Sequence, residues 1–409
     1  MSDTTTHMIG RDRLFAPGKK RILTLDGGGT RGIISIMFLK RMETVLREQT
    51  GYSDLRLSDV FDLVAGTSVG SMIATMVSLG YEVDDIEARF NDLAPKIFAG
   101  RMTMFGQCRF DARPLVNGVR AIVSDETLGS DLLQTGLAII AKRADTGSVW
   151  VLSNNPRMPY YEDGPEWDGN KRFKLASLIR ASTAAPFLFT PSEISIHTDR
   201  FGNEQKGLFV DGGVSPHNNP ALQMLFMAGL PAYHLNWSLT PEDLLMISVG
   251  TGMHRTPIDR REKVISGSFV RRLLGRQMCD DIEEAAFAAK TLQSIISDTS
   301  VLVLKVLQSV SHPRFSWRLN TEIGGLDGEL LVHGLTGGDP DRELLRFQRY
   351  DVALEAGGLV PAAFDISATG AERQKMHAID SVTTMPTLRR WGQEAAEKQV
   401  SAEDFVGFV

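Results

Sequence analysis

The chain has 409 residues, 43% of them hydrophobic and 23% charged, an ordinary globular balance that leaves room for one large core or two smaller ones. A formal net charge of −6 argues against nonspecific nucleic-acid binding, so no nucleic-acid polymer is expected as a partner. Two cysteines, Cys108 and Cys279, make neither a disulfide framework nor a metal cluster. No run of about 18 apolar residues marks a membrane-crossing helix, and the polar stretch Met1–Met8 lacks the basic and apolar regions of a signal peptide. The expectation is a cytoplasmic protein, able to act as a peripheral visitor to the inner face of a membrane.

In chain order, residues 1–17 read as an N-terminal arm. Arg21–Leu25 predicts a strand and Asp26-Gly-Gly-Gly-Thr-Arg-Gly32 a glycine loop. A helix follows, with Leu39, Met42, Val45 and Leu46 on one face and Lys40, Glu43, Arg47 and Glu48 on the other. Leu63–Ala65 predicts a buried strand, Gly66-Thr-Ser-Val-Gly70 a sharp turn, and the apolar residues to Leu79 a helix. Helices are expected over 84–98, 111–123 and 175–184, and strands over 137–142, 149–153, 207–210 and 244–249. Strands alternating with helices predict an α/β fold whose mainly parallel sheet is covered on both faces. Beyond about residue 254 strand signals thin out, and Leu344–Asp351 reads as helical. The resulting division is an α/β domain at 18–252 and a mostly helical C-terminal extension at 253–409.

Gly66-Thr-Ser-Val-Gly70 is G-x-S-x-G in the strand–turn–helix setting of a nucleophile elbow, where flanking glycines let a tight turn hold Ser68 out from the sheet. The glycine loop has three readings. Gly27, Gly29 and Gly32 fit a dinucleotide fingerprint, but no acidic residue ends a second strand about 20 residues later. Asp-Gly-Gly-Gly-Thr also occurs in sugar-kinase-like ATPases, where a hairpin rather than a helix should follow. The third reading pairs the loop with Ser68: amides of a glycine run can approach the oxyanion of acyl transfer with no side chain in the way.

A nucleophilic serine needs a base. None of the eight histidines stands in a setting that marks a triad member, and each reads as surface or structural. Asp211 ends an apolar strand and is followed by Gly212-Gly213, at the strand end where open α/β sheets build their sites. A plain turn residue is the alternative at that position.

Together, Asp26–Gly32, Gly66–Gly70 and Asp211–Gly213, supported by Ile179-Arg-Ala-Ser-Thr-Ala-Ala-Pro186 and Asn218-Asn-Pro220, resemble the patatin-like phospholipase family over residues 18–252. The resemblance implies a histidine-free Ser68–Asp211 dyad on an α/β sandwich. It implies an oxyanion hole from Gly27, Gly28 and Gly29, with Arg31 orienting the loop or polarising the site, and hydrolysis of phospholipid or other lipid acyl esters with no metal or cofactor. Gly213 stands where many members carry alanine. The chain length and its helical C-terminal third also resemble bacterial members switched on by cyclic nucleotides in anti-phage defence. That makes a cyclic-nucleotide activator and a homo-oligomer further expectations. The competing readings are the kinase-like ATPase and a non-catalytic ligand-sensing module.

Two other features stand out. Arg255, Arg260, Arg261, Lys263, Arg271, Arg272 and Arg276 form a basic stretch suited to lipid head groups or phosphates, or simply to a solvated face. Ile97–Phe105, rich in Met and Phe, suits a lid or packing beneath a loop.

Overall fold

The computed structural model describes residues 10–99, 108–258, 276–311, 313–321, 324–326, 335–337 and 339–409. Strand β1 (Lys20–Leu25) leads through the glycine loop into α1 (Gly32–Thr50). A single turn, α2 (Leu57–Val60), precedes β2 (Leu63–Thr67), which runs into α3 (Val69–Ser78). Every residue of α3 is buried, so the helix behind the elbow is a core element. Helices α4 (Val83–Phe98) and α5 (Arg113–Val123) follow, then β3 (Gly136–Arg143), β4 (Val149–Ser153) and α6 (Leu175–Ser182). Next come β5 (Ser192–Thr198), β6 (Glu204–Asp211), α7 (Ala221–Gly229) and β7 (Leu244–Val249). The C-terminal third contains the long α8 (Arg276–Ser309), a small ladder of β8 (Leu319–Thr321) and β9 (Gly324–Leu326), and β10 (Arg346–Tyr350). It ends with α9 (Gly370–Lys375) and α10 (Met385–Gln399).

The fold is the expected helix-flanked α/β sandwich. Its eight-stranded sheet runs β10-β7-β1-β2-β3-β6-β5, with β4 also paired to β3. The strands from β10 to β3 are parallel, while β4, β6 and β5 enter antiparallel. Buried on both faces, β7 (Leu-Leu-Met-Ile-Ser-Val) and β1 have the continuous apolar character of interior parallel strands.

Leu344–Asp351 departs from its helical expectation. Residues 346–350 form β10, in parallel register with β7 from Arg346 opposite Leu245 to Tyr350 opposite Val249. Phe347, Gln348, Arg349 and Tyr350 are all buried, so no alternation betrays a strand, and the charge of Arg349 disguises its burial. The C-terminal third therefore contributes an edge strand to the main sheet, and α10 packs along α1.

Candidate active site

The elbow begins where β2 ends. Ser68 has φ 53° and ψ −127°, a conformation an L-residue holds only when its surroundings impose it. Here the amide of Ser68 donates to Ser182 Oγ at 2.8 Å, and its carbonyl accepts from Ser71 Oγ at 2.6 Å. Gly66 and Gly70 permit the turn by close approach: a Cβ on Gly66 would lie 2.1 Å from the Gly70 carbonyl oxygen, and one on Gly70 2.3 Å from that of Leu25.

Sheet register brings the second group to Ser68. Along β3, Ile140 faces Thr67 of β2 and the next residue, Ala141, faces Asp211 of β6. The opposite edge of β3 carries Val151 and Trp150 of β4 at the same two positions. Strands β2 and β6 therefore abut end to end on one edge, and the residue after Thr67 meets the last residue of β6. Ser68 Oγ donates to Asp211 Oδ2 at 2.7 Å, and Asp211 Oδ1 accepts the Gly213 amide at 2.7 Å. Gly212 and Gly213 open the short turn that follows the strand. Burial pushes the Asp211 carboxyl up to about 6, against the opposing pull of Ser68, the Gly213 amide and the Arg180 guanidinium.

The glycine loop lies beside the pair. A Cβ on Gly27 would stand 3.1 Å from Ser68 Cβ, so the loop lies directly against Ser68. Its three amides are not equivalent. That of Gly27 donates to the Asn218 carbonyl at 3.1 Å and is already engaged, whereas those of Gly28 and Gly29 donate to no group among the described residues. Gly29 takes φ +58°, with the Ile379 carbonyl oxygen 2.0 Å from where a Cβ would be, while Thr30 donates its amide to the same oxygen at 2.8 Å. Gly32 is the first residue of α1. Arg31 is buried, its pKa lowered to about 10 by desolvation, and its Nη1 lies 3.1 Å from His254 Nδ1.

Sequence reasoning missed the partner of Asp26. The Arg349 guanidinium grips Asp26 with Nη1–Oδ1 at 3.0 Å and Nη2–Oδ2 at 2.6 Å, and it also meets Asp351 Oδ2 at 2.6 Å. Desolvation raises Asp26 to about 6 despite this pairing.

Ser68 and Asp211 open onto a cavity of about 510 Å³ whose walls are mainly apolar. Met72, Phe90 and Phe98 form one part of the wall, and Leu292 and Ile296 of α8 another. His254 and His377, set aside on sequence, also line it, with rings stacked at 4.0 Å; burial and the nearby Arg31 hold His254 down to about 2. Neither ring bonds to Ser68, whose amide and hydroxyl go to Ser182 and Asp211. Ile97 and Phe98 of the suggested lid line the cavity, while the rest of its tip, 100–107, lies outside the described residues. Most of the basic stretch, 259–275, also lies outside them. Arg255, at its start, pairs with Glu355 at 2.8 Å.

The family model described as patatin-like phospholipase matches residues 23–225. A "cGAMP-activated phospholipase" of Escherichia coli (strain TW11681) is 26% identical over 237 residues, covering 56% of this chain and 62% of that protein. "Patatin group M-1" of Solanum tuberosum is 30% identical over 240 residues, covering 56% of this chain and 60% of that protein. The chain thus spans about three fifths of the length of these curated relatives. Among solved structures, VipD from Legionella pneumophila aligns with a TM-score of 0.33 at 12% identity, over 92% of this chain and 67% of that one, too distant to carry an argument. Residues 23–225 of the chain thus form a domain of the patatin-like phospholipase family.

Proposed function

We propose that the protein is a serine acyl hydrolase that releases fatty acids from phospholipids or related lipid acyl esters. The observation that carries this reading is the 2.7 Å hydrogen bond from Ser68 Oγ to a buried carboxylate, Asp211 Oδ2, in the wall of an apolar cavity. Asp211 takes the hydroxyl proton as Ser68 attacks the ester carbonyl, and returns it to the departing alcohol. The acyl-enzyme is then opened by a water that Asp211 deprotonates. The tetrahedral oxyanion of each step is held by the Gly28 and Gly29 amides, assisted by the positive end of α3. Gly27 shapes the loop rather than donating, because its amide is engaged by Asn218. Arg31 adds positive charge beside that loop.

In this reading, 18–252 is the catalytic domain and 253–409 a regulatory extension packed on it, which supplies α8 to the cavity wall. Similarity to the cGAMP-activated phospholipase of E. coli supports a cyclic-nucleotide activator. No helix among the described residues is long and apolar enough to cross a membrane. In this reading the protein reaches lipid by peripheral contact from the cytoplasm. The test is fatty-acid release from mixed phospholipid vesicles, with and without a panel of cyclic nucleotides. Ser68→Ala and Asp211→Ala should each abolish it. Release that survives either change overturns the dyad.

A further inference from the structure

We infer that Arg349, on the edge strand from the C-terminal third, is a positioning residue for the catalytic glycine loop. This rests on the acyl-hydrolase reading above. The sheet places β10 beside β7 and β7 beside β1, so a side chain from β10 must reach past β7 to touch the end of β1. Arg349 does so. Its guanidinium takes both oxygens of Asp26, the first residue after β1, and binds Ser248 Oγ of the intervening strand at 2.8 Å.

The contacts close into a ring. Arg349 also holds Asp351 Oδ2, and Asp351 Oδ1 accepts the Gly252 amide at 2.7 Å. The neighbouring Thr251 donates its Oγ1 to the Gly27 carbonyl at 2.8 Å. The first two residues of the glycine loop are thus held on one side by Arg349 directly, and on the other by Thr251 through the Asp351 turn. The next residue but one, Gly29, rests on the Ile379 carbonyl of the same C-terminal third.

Stability alone is a poor reason for such an arrangement. A buried ion pair is often matched or bettered by apolar residues of similar volume, because desolvation consumes most of the attraction. Geometry is the better reason. Oxyanion donors work at about 2.7–3.1 Å from the developing charge, and a displacement of about 1 Å can cost roughly a hundredfold in rate. A planar fork bonded to two carboxylate oxygens fixes both position and orientation, which a lysine cannot do.

The test uses the full chain carrying Arg349→Lys, which keeps the charge and removes the fork. With a soluble p-nitrophenyl ester, kcat should fall about tenfold or more while KM stays within about twofold. Affinity for a trifluoromethyl ketone, which forms an oxyanion on the serine, should fall in parallel, while affinity for free fatty acid stays unchanged. Hydrogen exchange should accelerate about tenfold in peptides spanning 26–32 and stay constant in those spanning 204–213. A kcat within twofold of wild type, or exchange that rises equally across the whole sheet, overturns the inference. If Arg349→Lys does not fold, Asp26→Asn, which leaves Arg349 paired with Asp351, is held to the same outcomes. A wild-type protein that hydrolyses no ester with any of the cyclic nucleotides present overturns the proposed function instead, and the exchange measurement then decides by itself whether Arg349 holds the loop.

Discussion

Ser182 holds Ser68 by its backbone: the Ser182 hydroxyl accepts the Ser68 amide at 2.8 Å and donates to the Ile140 carbonyl at 2.6 Å, tying Ser68 to β3. Ser182→Ala leaves that amide without an acceptor in a turn that is already strained, at about 1–3 kcal/mol. The expected result is a lower midpoint in urea and a kcat reduced about tenfold, with KM little changed. Unaltered kcat in a destabilised variant would show that the turn holds Ser68 without this bond.

The acid limb of activity should follow Asp211. It must be ionised to accept the serine proton, and burial raises it to about 6. Accordingly kcat/KM should be flat above that pH and fall about tenfold per unit below it. Arg180 favours the ionised form, so Arg180→Gln should move the limb to higher pH. A limb near pH 4, in the ordinary carboxylate range, would mean that the base is another group.

The same burial has a thermodynamic signature. Asp211 binds its proton more tightly in the folded chain than in the unfolded one, where its pKa is about 4. Its contribution to stability is full below about pH 4 and disappears as the pH rises through about 6, so the ionised group costs up to roughly 3 kcal/mol at pH 8. Asp211→Asn should therefore raise the melting temperature by several degrees at pH 8 and leave it unchanged at pH 4. Calorimetry at the two pH values checks this, and an equal effect at both would remove the argument.

Helix α8 should set which acyl chains fit. Ala289, Leu292 and Ile296 line the cavity with Ser68, and Ala289 is the smallest of the three. Ala289→Phe should lower kcat/KM for a sixteen-carbon ester about tenfold while sparing a four-carbon ester. Equal losses on the two esters would take α8 out of the acyl site.

Ser68 and Asp211 were readable in the sequence because each ends an apolar strand and is punctuated by glycine. Their contact was not readable from spacing alone, since it depends on β2 and β6 meeting end to end along β3. Strand β5 was passed over although Ser192, Ile194 and Ile196 alternate inward along it, because Glu193 and His197 dilute a short pattern. Arg349 was hidden for a different reason. An arginine between glutamine and tyrosine looks exposed, and only the tertiary structure brings up Asp26, which joins the nearby Asp351 in letting it be buried. The unequal amides of the glycine loop were equally out of reach, because the acceptor for Gly27 is a backbone carbonyl far along the chain.

The order of strands in the sheet also sets a schedule. A ribosome releases β1, the elbow and Asp211 well before β10, which lies at the far edge but is made last. At about 5–20 residues per second, Asp26 emerges roughly 15–60 s ahead of Arg349. Asp211 follows partway through, and for the last roughly 7–30 s of that interval Ser68 and Asp211 have both been made while the Arg349 fork on Asp26 has not. On the positioning role inferred for Arg349, hydrolysis by the nascent chain waits until β10 has been made.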